Sequence, residues 1–432
     1  MSFCTRATHQ EGLAKVSSCG GSPTRNGSCV NHRPANPALL LAGLILVGIN
    51  LRPALSSVAP VLGDIRAGVG LSPGLISLLT TAPVLCLGLF APIAPMLGRR
   101  FGGERVIFVF LLLLAAGVGL RTHFGIPGLF AGTLLAGASI GIIGVLLPGI
   151  VKRDFPTAAG AMTGVYTMAL CLGASLAAGL AVPLEQHFGG DWHPALGFWA
   201  LPAVLAAALW LPQLRVPPIA RHHAARGPGL WRDPLAWQVT TFMGFQSSLA
   251  YIVFGWLPSI LIARGLPPLQ AGLVLSTSVM TQVVTALLSP YLATRGRDQR
   301  LAIALLLSLT ISGLMGILYA PLGTVWLWSV LLGLGQGGSF SIALALIVLR
   351  TPDPQTASEL SSMSQAVGYA LASLGPFATG YLHAATGSWQ AAGGLFVLIG
   401  LAALLTGLGA GRARYVASSP TGPNESPISP KI

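Results

Sequence analysis

The stretch Pro37 to Leu62, PALLLAGLILVGINLRPALSSVAPVL, decides the fold. Its first 15 residues carry no charge, and Asn50 is their one polar side chain, an apolar run that reads as a membrane segment and not as one face of a soluble helix. Arg52 and Pro53 then follow directly. About 15 helical residues at 1.5 Å each place Arg52 roughly 22 Å into a segment that starts at Pro37. An arginine at that depth costs roughly 3 to more than 10 kcal/mol, depending on the reference, and guanidinium does not lose its proton to avoid the cost. Something must face it. Pro53 has no N–H for the carbonyl of Ile49, so the helix is expected to bend or open beside the arginine.

The rest of the chain repeats the membrane pattern. With 432 residues, 53% hydrophobic, 8% charged and a mean hydropathy of +0.74, it has too little charge to cover a water-facing surface. Twelve membrane helices need about 240 residues, which leaves connections and tails. Apolar stretches run over 37–62, 72–97, 105–120, 127–151, 157–184 and 194–211, and then over 235–263, 269–293, 301–320, 324–349, 358–383 and 389–411. The expected organisation is a disordered cytoplasmic tail over 1–36, a six-helix half over 37–211, a cytoplasmic linker over 212–234, a second six-helix half over 235–411 and a cytoplasmic tail over 412–432. The polar opening residues lack the apolar core of a cleavable signal.

Charge placement orients the chain. With the N-terminus on the cytoplasmic side, 20 of the 24 lysines and arginines fall on that side, and only Arg52, Arg66, Arg121 and Arg264 do not. Miscounting one helix would scramble that asymmetry, so it fixes an even number of spans with both ends cytoplasmic. A net charge of +13 could mark a nucleic-acid binder, but the bases sit in short clusters between apolar stretches, which makes lipid the partner and nucleic acid no partner. Cys4, Cys19, Cys29, Cys86 and Cys171 form no metal or disulfide pattern, and His222-His223 lack further ligands in the basic linker. No metal or cofactor is expected.

The acids at 64, 104, 154, 185, 191, 233, 298 and 353 read as loop or edge residues, so Arg52 has no dedicated counter-ion. Two readings remain open: the guanidinium binds a transported small anion in a water-filled cavity, or it holds two helices together through carbonyls and amides. Asn50 shares its segment, and uncharged polar groups recur at membrane depth: Gln246, Ser247, Tyr251, Gln282, Gln336, Gln365 and Tyr369. Any of them could line a cavity or bond between helices. Trp256 and Trp389 read as interfacial anchors, and Glu359 as part of a capping box with Thr356. His383, at the outer end of the eleventh segment, is a weak substitute for a proton-relay acid. The run Gly335-Gln336-Gly337-Gly338 lies inside a helix without the lysine of a nucleotide loop, so it reads as a packing surface and not as an ATP site.

Sliding the second half back by 198 residues pairs Pro92 with Pro290, Gly98 with Gly296, Arg99 with Arg297, Gly137 with Gly335, Lys152 with Arg350 and Pro156 with Pro354, a weak but ordered internal repeat. Six plus six helices, a charged middle loop and the turn Gly98-Arg99-Arg100 resemble the major facilitator superfamily. Ala91, Pro95 and Met96 stand where that superfamily's loop signature has Gly, Asp and Arg. Asn50-Leu51-Arg52-Pro53, Gly244-Phe245-Gln246-Ser247, Trp256-Leu257-Pro258, Gly333 to Gly338 and Gln365 to Tyr369, taken in order, resemble its cyanate and nitroimidazole transporter branch over about 37–411.

The resemblance implies an all-α fold of two six-helix bundles in a bacterial inner membrane. It also implies a secondary transporter that moves a small polar or anionic solute, cyanate-like, by alternating access. Efflux of a nitroimidazole or another drug is the alternative. It favours Gln246, Gln336, Gln365 and Tyr369 as cavity residues beside Asn50, Arg52 and Tyr251, with Pro53, Gly98, Arg99 and Arg100 in gating or structural roles. The protein is expected to act as a monomer. A membrane enzyme would need paired acids or a nucleophile at one depth, and a sensor would need a signalling domain; neither is visible.

Overall fold

The computed structural model describes residues 37–155, 158–215, 230–295, 298–352 and 354–416. The tail through Asn36, most of the linker with His222 and His223, the end of the C-terminal tail, and Cys4, Cys19 and Cys29 lie outside the described residues.

Twelve helices, joined by shorter helical turns, follow the apolar stretches of the described chain. They are α1 (Pro37–Asn50), α2 (Pro73–Phe90), α3 (Gly103–Leu120), α4 (Gly125–Asp154), α5 (Ala159–His187) and α6 (Ala200–Trp210), then α7 (Pro234–Ala263), α8 (Pro268–Arg295), α9 (Arg300–Tyr319), α10 (Val325–Leu349), α11 (Pro354–Thr386) and α12 (Gln390–Ala410). Eleven spans among the described residues are long and apolar enough to cross a membrane, the first of them Ala38–Val69 and the sixth Trp192–Leu214. The twelfth rod, α11, is 33 residues long but opens with a polar run from Gln355 to Gln365. It packs against α2 and α7, where buried Ser364 lies 3.3 Å from Thr240 of α7, while buried Thr379 donates within its own helix to the Gly375 carbonyl at 2.8 Å. Large apolar side chains such as Leu301 and Leu405, each 73% exposed, point outward, as lipid requires and water would penalise.

The break expected at Pro53 is present. Regular α1 stops at Asn50, a single turn forms over Pro53–Ser56, a 3-10 turn over Ala59–Val61, and helix resumes over Leu62–Val69. The unwound backbone is packed in protein, against α5, α7 and α8, where loose carbonyls do not meet lipid. Close approach of α5 makes this possible: a Cβ on Gly173 would sit 1.9 Å from the Ile49 carbonyl oxygen, the acceptor that Pro53 leaves free.

Two arginines act as helix-end staples. Arg264, after α7, donates to the Ile317 and Ala320 carbonyls at the end of α9. Arg350, 5% exposed after α10, donates to the carbonyls of Ala410 at 2.9 Å and Gly411 at 3.0 Å and to the Gln299 side chain, so it joins the ends of α10 and α12 to the start of α9. Lys152, its partner in the internal repeat, is exposed instead. Charged hydrogen bonds contribute about 1.5–3 kcal/mol each. Arg350→Ala is therefore expected to lower the thermal midpoint of the purified protein by several degrees, whereas Lys152→Ala leaves it unchanged; equal midpoints for the two variants contradict the staple.

Asp64, in the first turn of the helix Leu62–Val69, and Glu185, in the last turn of α5, hold the edge places expected of them, and their carboxyl groups interact with one another. Arg121 follows α3 directly, as expected, but is only 2% exposed there. One expectation needs correction. Trp256 is not an interfacial anchor: it is buried between α7 and α11 and donates to the Pro376 carbonyl at 2.8 Å. Burial of Trp256 by a neighbouring helix is something that hydropathy along one segment does not report.

Candidate functional site

Arg52 sits in the break of the first segment as an irregular residue, φ −113° and ψ −26°, before the single turn at Pro53. Its guanidinium lies on the wall of an empty space of about 590 Å³. Among the described residues no carboxylate, carbonyl or amide is bonded to it. What it meets is aromatic: its central carbon is 5.4 Å from the Phe254 ring centre and 5.9 Å from that of Tyr251. A cation over ring faces gains a modest attraction but keeps its N–H donors unused. A planar fork of free donors facing a cavity is a receptor for an anion or a polarised oxygen.

Four further helices complete the wall, each with a stripe at three- and four-residue spacing. α5 supplies Thr167, Leu170, Cys171 and Ala174, and α7 supplies Ser247, Ala250, Tyr251 and Phe254. α8 supplies Val279, Gln282 and Ala286, and α10 supplies Gln336, Gly337 and Phe340. Such spacing is one face of a helix. Gln336 donates to the Leu249 carbonyl at 3.3 Å and accepts from Gln282 at 3.4 Å, so this amide pair is held in place on the cavity wall.

Of the residues singled out from sequence, the structure brings Arg52, Ser247, Tyr251, Gln282 and Gln336 together on this cavity. Tyr369 stands one layer back, edge-on to Tyr251 with ring centres 6.1 Å apart. Asn50, Gln246 and Gln365 do not line it. Asn50 donates to Leu46 at 2.7 Å and to the Pro202 carbonyl at 3.1 Å, tying α1 to the helix Ala200–Trp210. Gln246 is 3% exposed and bonds Ser247 at 2.7 Å and Met243 at 3.2 Å, all within α7. Gln365 bonds Ser361 one turn back at 3.0 Å. One residue along a helix is a 100° rotation, so Ser247 faces the cavity and Gln246 does not. Phe254, Cys171, Thr167 and Phe340 are lining residues outside the expected set. The signal that finds them is the spacing, since Ser247, Tyr251 and Phe254 follow from one another once any of them is placed.

Gly98, Arg99 and Arg100 end a short helix, Ala94–Phe101, between α2 and α3, with both arginines exposed. Cations suit the last turn of a helix. The ion pairing at this end of the bundle is elsewhere: Arg153 at the end of α4 contacts Glu104 at the start of α3 at 2.6 Å and neighbouring Asp154 at 2.6 Å. The His383 ring stacks on Trp389 with centres 3.7 Å apart.

The sequence model of the Major Facilitator Superfamily matches residues 40–358 and 264–431. The chain is 36% identical to the 2-nitroimidazole transporter of Escherichia coli (strain K12), covering 88% of this chain and 97% of that one. It is 32% identical to the cyanate transport protein CynX of the same organism, covering 81% and 91%. Its fold superposes with a TM-score of 0.69 and 15% identity on the crystal structure of a bacterial homolog to the human lysosomal transporter Spinster, covering 86% and 96%.

Proposed function

As this chain belongs to the major facilitator superfamily and is a multi-pass membrane transporter of a small solute, we propose that the solute is a small cyanate-like anion held at Arg52. The observation that carries the reading is the guanidinium of Arg52, half-buried beside a cavity with its donors unpaired by any described residue. A cation at membrane depth without a partner is a standing cost, and an anion that binds it lowers that cost.

The bound anion lies between the broken helix and the walls from α5, α7, α8 and α10. Tyr251, Gln282 and Gln336 offer neutral hydrogen bonds, which orient a solute without competing for its charge. Alternating access then follows from rocking of the half 37–211 against the half 235–411 about this midplane site. Pro53 supplies the hinge in the first segment, and the turn Gly98-Arg99-Arg100 the gate at the end that carries the termini. The clustering of Lys and Arg puts that end in the cytoplasm of a bacterium, with the chain in its inner membrane, acting as a monomeric carrier and not as an enzyme.

A second reading has its own support: a nitroimidazole-like solute, which combines a planar ring with nitro oxygens, would stack on Tyr251, Phe254 and Phe340 while Arg52 holds the oxygens. Counterflow in proteoliposomes separates the two. Labelled cyanate is expected to exchange saturably and to be displaced by small linear anions at lower concentration than by 2-nitroimidazole. Exchange of labelled 2-nitroimidazole without exchange of cyanate gives the site to the heterocycle.

A further inference from the structure

Beyond the Arg52 cavity, a second arginine meets the same physical test. Arg121, at the end of α3, is 2% exposed and among the largest fully buried side chains. Its Nη1 donates to the Ala54 carbonyl at 2.7 Å, while its Nε and Nη2 are buried with no hydrogen-bond partner. Buried polar atoms in a settled interior are paired, so two orphan donors on one permanent cation require an account. They belong to a side chain on the wall of a separate empty space of about 390 Å³, lined also by Val58, Thr80, Thr133 and Gly255. No Asp or Glu lines it.

The two cavities are adjacent. Tyr251 and Phe254 line both, and the unwound segment runs from Arg52, on the first, to Ala54, Leu55 and Val58, on the second. Arg121 lies towards the end of the bundle opposite the termini, since α1 rises from Pro37 and α3 reaches Leu120 at that end. An anion coming from that end thus meets Arg121 first, then the ring pair, then Arg52.

We infer that Arg121 forms a second small-anion position, distinct from the site at Arg52, and that a monovalent anion passes between the two arginines through the gap closed by Tyr251 and Phe254. The passage rests on the reading that Arg52 binds the transported anion; the position at Arg121 stands by itself. Transported solute and chloride share the chemistry such a position takes, a single negative charge of small radius.

The test uses the full chain and bromide. Crystals soaked in sodium bromide are expected to show anomalous scattering within about 3.5 Å of Arg121 Nε or Nη2 and again beside Arg52. Bromide at Arg52 alone overturns this inference and leaves the proposed function intact. Bromide at Arg121 alone upholds the second position and overturns the reading of Arg52, and bromide at neither overturns the inference. Transport gives the second readout, and tells solute from chloride. In proteoliposomes Arg121→Gln is expected to raise the KM for labelled cyanate about tenfold in chloride-free buffer with the maximal rate changed less than about threefold. A KM that rises only when chloride is present assigns the position to chloride and overturns its place on the solute's route. An unchanged KM, with the variant accumulating normally, overturns it as well. If Arg121→Gln fails to accumulate, Arg121→Lys retains a donor for Ala54 and removes the forked face, and the same KM criterion applies.

Discussion

Arg52→Gln is expected to abolish saturable anion transport while the protein remains in the membrane at wild-type amount and melts no lower than wild type. The two halves of that expectation have one cause. The guanidinium faces the cavity and meets only the rings of Tyr251 and Phe254, so its removal breaks no hydrogen bond made by the described residues. It also removes an unpaired charge from a medium that disfavours one. The solute loses everything it gained there. Truncating one member of a buried, hydrogen-bonded charge pair costs about 2–5 kcal/mol, which is between one and four orders of magnitude in apparent affinity. Arg52→Lys keeps the charge and loses the planar fork, and so lies between the two. Counterflow of labelled cyanate reads the first half and thermal unfolding in detergent the second. Transport and melting point falling together would return Arg52 to a helix-holding role.

Gly173→Ala is expected to cost most of the folded protein. The added methyl group would lie 1.9 Å from the carbonyl oxygen of Ile49, 2.7 Å from its carbon and 2.9 Å from its Cα. These are backbone atoms, so no side-chain rotation relieves the overlap, and α5 must move away from α1 at the turn that carries Arg52. Overpacking in a well-filled core costs about 1–3 kcal/mol, and a clash with fixed backbone sits at or above the top of that range. Yield of monodisperse protein from membranes and its melting temperature measure the effect. Gly119→Ala is the control, because nothing lies within 4 Å of a Cβ there. Equal yields for the two variants rule out close α1–α5 contact as the support of the broken helix.

The part of the site legible in the sequence was the part set by solvation. A permanent charge after 15 uncharged residues, with a proline next to it, is unusual whatever surrounds it, and the break duly falls between Asn50 and Pro53. The amides were not legible in the same way. Asn50, Gln246, Gln336 and Gln365 look alike as polar residues at membrane depth, yet only Gln336 reaches the cavity; the others satisfy themselves on carbonyls or hydroxyls nearby. An amide in a low-dielectric interior must find a partner, and whether that partner is protein or solute depends on which way its helix is turned. Arg121 shows the converse. It reads as a connection residue because it directly follows an apolar run, and it becomes a buried donor only because α4 and the unwound segment close over it.

The sequence alone determined that the chain lies in a membrane and where a charge interrupts the apolar run, because hydropathy and charge are properties of each segment taken singly. Tertiary structure decided which side chains share a cavity, that Tyr251 and Phe254 line both the cavity of Arg52 and that of Arg121, and that Asp64 meets Glu185. Those relations depend on the rotation and depth of one helix against another, set by close packing at residues such as Gly173, and no local pattern encodes them.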